Sequence, residues 1–85
     1  MKAIELWGLY DGRRLREVAL RTRDDIRHWA AKRMMSSADY DKCMSRGTDH
    51  HDKMMELWGV VQFNYPEARI VRVFVQMDNM AAAGA

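Results

Sequence analysis

Apolar and polar positions alternate over residues 2–10, KAIELWGLY, and the alternation predicts a strand. Asp11–Gly12 follows as a two-residue hairpin signal, because both central positions of a type I′ turn need positive φ. A second strand is predicted over 14–20, RLREVAL. Leu15 lies on one parity there and Val18 and Leu20 on the other, so a bulge near Arg16–Glu17 is needed to reconcile them.

The period then changes. Thr22 opens a helix as its N-cap, with Asp24 and Asp25 in the first turn, where the helix dipole favours negative charge. Ile26, Trp29, Ala30 and Met34 recur at helical spacing. SSAD at 36–39 starts a short second helix from Ser36 or Ser37. Gly47 is the expected left-handed C-cap of that helix, and Arg46 stands near its negative end. Thr48 is the expected N-cap of a third helix, whose stripe is Met54, Leu57, Trp58, Val61 and Tyr65. Pro66 marks its exit. ARIVRVFVQM, 68–77, is the clearest strand, with Val71, Val73, Val75 and Met77 on one face.

These elements give the order ββαααβ: a small two-layer α+β domain over residues 1–78, with a three-stranded sheet packed on one face by helices. The last strand is expected beside the first. A parallel pairing would need the long helical crossover that the sequence supplies. Residues 79–85, NMAAAGA, carry no pattern and are expected to form a flexible tail. ELWG occurs at 5–8 and again at 56–59, but one copy sits in strand pattern and the other in helix pattern, so no structural repeat is expected.

With 85 residues, 48% hydrophobic and 31% charged, the chain has globular composition. It contains no apolar run of membrane-spanning length and no signal-peptide pattern, and its one cysteine, Cys43, allows no internal disulfide. The expected location is cytoplasmic, without membrane association. The net charge of +2 is unevenly spread. Residues 13–33 hold eight basic against three acidic side chains, a net +5, and residues 34–67 hold three against six, a net −3. Such polarity bears on the choice and orientation of a partner.

The stretch TDHHD, 48–52, has the composition of a metal site. On a helix, however, His50 and His51 point about 100° apart, and their i+4 neighbours are Met54 and Met55. A helix start, with Asp49 and Asp52 at the positive end of the dipole, accounts for the residues better. No metal and no cofactor are expected. His28 follows Asp24 by four residues and could pair with it on the helix surface. Cys43 with His50 or His51 is a conceivable thiol–imidazole pair. None of these sits in a nucleophile elbow, phosphate loop or dinucleotide fingerprint, so the chain is not expected to be an enzyme.

The helices can cover only one sheet face. If Val71, Val73 and Val75 point inward with Ile4 and Leu6, the open face carries Trp7, Leu9, Ile70 and Phe74, with Arg14, Arg16 and Arg72 around them. Trp, Phe and Arg are enriched in interface cores and hot spots, so this is the expected partner-binding face. Arg13, Arg21, Arg23 and Arg27 are candidate contacts to phosphate or to an acidic partner. The leading expectation is a non-enzymatic protein-binding module whose partner is another protein or a second copy of the chain. The alternative is single-stranded nucleic-acid binding, with the aromatics stacking bases and the arginines meeting phosphates; a metal-binding protein using Asp49, His50, His51 and Asp52 ranks below both.

In size and build the chain resembles the small one-domain proteins of phages and mobile elements, anti-CRISPR proteins among them. The resemblance covers no motif and carries over no functional residue. It implies an inhibitor that binds a larger host assembly, through the Trp7/Arg72/Phe74 face or through the acidic helical segment.

Overall fold

The structure, a computed structural model, describes residues 3–76. The chain forms β1 (Ala3–Tyr10), α1 (Arg23–Met34), α2 (Ser37–Met44), α3 (His50–Asn64) and β2 (Arg69–Gln76). It is a small α+β arrangement of three helices and a two-stranded antiparallel sheet. The expected tail over 79–85 and the end of the last strand at Met77 lie outside the described residues.

The caps explain where the helices start. The Thr22 hydroxyl accepts from the Asp25 N–H at 3.1 Å, the Ser36 hydroxyl from Asp39 N–H at 3.2 Å, and the Asp49 carboxylate from Asp52 N–H at 2.8 Å. Each satisfies one of the otherwise orphaned donors of a first turn. The cap of α3 is therefore Asp49 and not Thr48, because the carboxylate is the stronger acceptor and is one residue nearer the helix. Gly47 does not close α2 in the left-handed conformation, since Gly12 has the one positive φ among the described residues. The Ser45 hydroxyl instead bonds the Lys42 carbonyl at 2.9 Å, and Arg46 N–H reaches the Cys43 carbonyl. These contacts use the terminal carbonyls without a glycine.

The hairpin after β1 also differs from a type I′ turn, because Asp11 keeps a negative φ. Its carboxylate accepts from the N–H groups of Arg13 (2.9 Å) and Arg14 (3.1 Å), and pairs with Arg16 Nε at 2.7 Å. The carboxyl is held below its ordinary value by the Arg14 and Arg13 N–H groups, aided by the Arg16 charge. This side-chain bonding favours a wider loop over 11–14, closed by the bridge between Tyr10 and Leu15.

The predicted second strand is not a regular one. Residues 15–20 touch β1 at two isolated bridges, Tyr10–Leu15 and Trp7–Leu20. Between them, Val18 N–H turns back to the Arg16 carbonyl at 2.8 Å, which spends in a local turn a donor that a ladder would have used. The regular sheet therefore has two strands where three were expected. β1 and β2 pair antiparallel, from Ile4 opposite Val75 to Tyr10 opposite Arg69. A three-helix crossover thus joins antiparallel strands, not the parallel pair that it would also permit.

The core gathers Leu9, Ile26, Ala30, Ala31, Met54, Leu57 and Val61, all fully buried, with Cys43, Trp58 and Ala68 nearly so. α1 and α3 supply most of it. Burying each large aliphatic side chain contributes on the order of 1.5–3 kcal/mol. Tyr65 caps the C-terminal end of α3 and is exposed, so it does not extend the stripe.

Candidate protein-binding surface

The register decides which side chains share a face. Leu9 stands opposite Ile70, Trp7 opposite Arg72 and Glu5 opposite Phe74. Leu9 is fully buried, and Ile70 and Trp7 pack on the core. This is the helix-facing side, the reverse of the expected sidedness. The outer face carries Ile4, Leu6, Gly8, Val71, Val73 and Val75, and none of these belongs to the core.

The residues expected to form one contact face are thus divided. Leu9 is inaccessible, and Ile70 and Trp7 are half-buried. Phe74 is 64% exposed, because the helices cover only the Leu9–Ile70 end of their side of the sheet. The Trp7 ring already carries two guanidinium groups, Arg23 at 4.8 Å and Arg72 at 5.6 Å from its centre. Arg72 also pairs with Glu5 at 3.1 Å, a solvent-exposed ion pair that contributes little stability. Arg16 is engaged by Asp11, whereas Arg13, Arg14 and Arg21 are exposed. Arg27 is largely buried and bound to Asp24 at 2.6 Å, so it is not a free cation for phosphate.

The outer face is apolar for a structural reason. A Cβ on Gly8 would lie 2.7 Å from Val73 Cγ2, 3.2 Å from the Val18 carbonyl oxygen and 3.5 Å from Leu15 Cδ1. The glycine lets residues 15–18 cross close to the sheet and lay Leu15 beside the valines. Leu15 remains 50% exposed and Ile4 40% exposed. At the Ile4 end, a groove of about 790 Å³ runs between β1 and residues 19–21, lined by Ile4, Leu6, Ala19, Leu20 and Val75 together with the charged Glu5, Arg21 and Asp25.

The backbone adds a second feature. Trp7 uses both its N–H (2.7 Å) and its carbonyl (2.9 Å) on Leu20, and the Leu9 carbonyl accepts from Arg16. These β1 groups point away from β2. In an antiparallel ladder, bonded and non-bonded pairs alternate. Val71, Val73 and Val75 therefore bond β1, and Ile70, Arg72 and Phe74 turn their N–H and C=O groups to the far side. No other described strand pairs there. β2 is an eight-residue edge strand with no proline, flanked by an apolar face. A single charge, Arg72, lies within its length between the terminal residues.

The histidines occupy a separate region. Asp24 does not pair with His28; it accepts from His51 Nδ1 at 2.8 Å and from Arg27. Burial pushes the Asp24 carboxyl up, but these two partners outweigh it and hold the carboxyl below its ordinary value. The Asp24 carboxylate in turn raises His51. His28 Nε2 meets the Tyr40 hydroxyl at 2.7 Å, and burial, then the nearby Lys32 charge, lower its pKa. Among the described residues no Ser, Thr or Cys side chain bonds either histidine, and no three His, Cys, Asp or Glu side chains converge as a metal set would. Cys43 is buried, away from the surface at which a thiol would act. Among the described residues, no helix is long and apolar enough to cross a membrane. In comparison with known proteins, no family model, no curated protein and no solved structure matches this chain.

Proposed function

We propose that this chain is a non-enzymatic protein-binding module that takes its partner as an added β-strand along β2. The observation that carries the reading is the outward row of backbone donors and acceptors on Ile70, Arg72 and Phe74, lying beside the apolar strip of Val71, Val73 and Val75. Strand addition uses such a pairing edge for affinity and the alternating side chains for specificity. Soluble proteins blunt long edges with charge, proline or bulges, and β2 is only lightly protected. Antagonism of a larger host assembly is one form that this binding would take.

Phe74→Pro tests the reading. The Phe74 N–H is not used by the β1 ladder, so proline removes an edge donor while leaving the sheet intact. Wild type and variant with matching thermal melts are compared by affinity capture from lysate. The reading expects proteins held by the wild type and lost by the variant. Identical capture by both, together with a wild type that does not self-associate, would refute it.

A further inference from the structure

We propose that the edge of β2 pairs with β2 of a second copy, antiparallel and in a single register centred on Val73. This rests on the binding-module reading and names its occupant.

Symmetry and side-chain parity limit the registers. A two-fold axis perpendicular to the sheet keeps each face on its own side, so residues that meet must share parity. The axis therefore passes through a residue pair and not between residues. The outward groups of Ile70, Arg72 and Phe74 must form the bonded pairs, which leaves the valines in the closer, non-bonded pairs.

Four registers satisfy these conditions near the middle of β2. Centring on Arg72 sets two guanidinium groups directly opposite each other, a like-charge pair that destabilises a ladder. Centring on Phe74 overlaps only 72–76 among the described residues, and it sets neither Arg72 opposite an aromatic ring of the other copy. Centring on Val71 sets Val75 against Glu67, in the turn that precedes β2. Centring on Val73 overlaps 70–76 and avoids these faults. Val73 meets its own copy and Val71 meets Val75 on the outer face. On the other face Arg72 meets Phe74 twice, by symmetry. Arg72 pairs with Glu5 and lies over Trp7, yet 64% of its side chain stays accessible, so its guanidinium can add the exposed Phe74 ring of the other copy as a cation–π contact, reciprocated by symmetry. The edge donors and acceptors gain about eight hydrogen bonds in this register.

Sedimentation and cysteine scanning test the register. The wild type should sediment at about twice 10.0 kDa at high concentration, and Phe74→Pro should remain at 10.0 kDa. Non-bonded antiparallel pairs place Cα atoms about 4.5 Å apart, within the range that a disulfide spans. Val73→Cys, with buried Cys43 left in place, should therefore form a covalent dimer under air at least ten-fold more than Arg72→Cys or Phe74→Cys. A mixture of Val71→Cys and Val75→Cys should cross-link to each other. Preferential cross-linking through position 72 or 74, or a monomeric wild type at about 1 mM, overturns the proposal. A monomeric wild type whose lysate capture is still abolished by Phe74→Pro overturns the dimer while leaving the binding module in place. Loss of both results removes both.

Discussion

Leu9 and Phe74 lie on the same side of the sheet, yet one is fully buried and the other is 64% exposed. Truncating each to alanine measures how far the helices cover that side. Leu9→Ala removes three heavy atoms from a fully buried site in the core cluster. A buried leucine truncation costs about 2–5 kcal/mol, depending on how far the cavity collapses. A chain of this length is stabilised by roughly 4–13 kcal/mol in all, at 0.05–0.15 kcal/mol per residue. A loss of about 3 kcal/mol would lower Tm by roughly 12–24 °C, using 4–8 °C per kcal/mol for a domain of this size. Phe74→Ala removes an exposed ring and should stay within about 0.5 kcal/mol. Urea unfolding at micromolar protein, followed by the fluorescence of Trp7, Trp29 and Trp58, gives both numbers, with equal m-values marking an unchanged unfolding reaction. A Leu9→Ala loss below about 1 kcal/mol, or a larger loss for Phe74→Ala, would refute the sidedness.

Further outcomes follow from the same contacts. His51→Gln should destabilise the protein more at about pH 5.5 than at pH 8.5: a raised folded pKa gives stability that is complete below the ordinary value near 6.5 and is lost as pH rises through the folded value. A pH-independent difference between the two proteins in chemical denaturation would contradict the Asp24–His51 contact. Gly8→Ala should cost about 1–3 kcal/mol, because its new methyl would stand 2.7 Å from a rigid Val73 branch; an unchanged melting curve would show that the crossing at residues 15–18 is looser. Fluorescence titration with random single-stranded oligonucleotides should give only weak binding, since Trp7 is half-buried and already contacted by Arg23 and Arg72. Tight binding with a steep salt dependence would favour the nucleic-acid alternative.

The helices were legible because their signals are local. Thr22 and Ser36 cap as their spacing implies, and the apolar repeats of α1 and α3 fall on the core. The sheet was harder to read, because both faces of β2 are apolar: Ile70 and Phe74 on one, three valines on the other. Hydrophobicity alone favours turning the valine run inward. What decides is the short turn after α3, where Ala68 N–H bonds the Tyr65 carbonyl and sets Ala68 into the core, so that Ile70 follows on the same side. An alanine leading directly into a strand, two residues before an isoleucine, was the available signal. Gly8 opposite Val71 was a second, since a glycine in a strand marks a close approach. The Asp24–His51 contact joins residues 27 apart, through the reversal at α2, and no local spacing encodes it.

Amide hydrogen exchange along β2 tests the open-edge account most directly. In dilute protein, the amides of Ile70, Arg72 and Phe74 should exchange fast while those of Val71, Val73 and Val75 are protected by β1. In concentrated protein the fast set should become protected as well. Uniform protection at both concentrations, or fast exchange of the first set at every concentration and with every captured partner, would contradict the claim that this edge is where the protein binds.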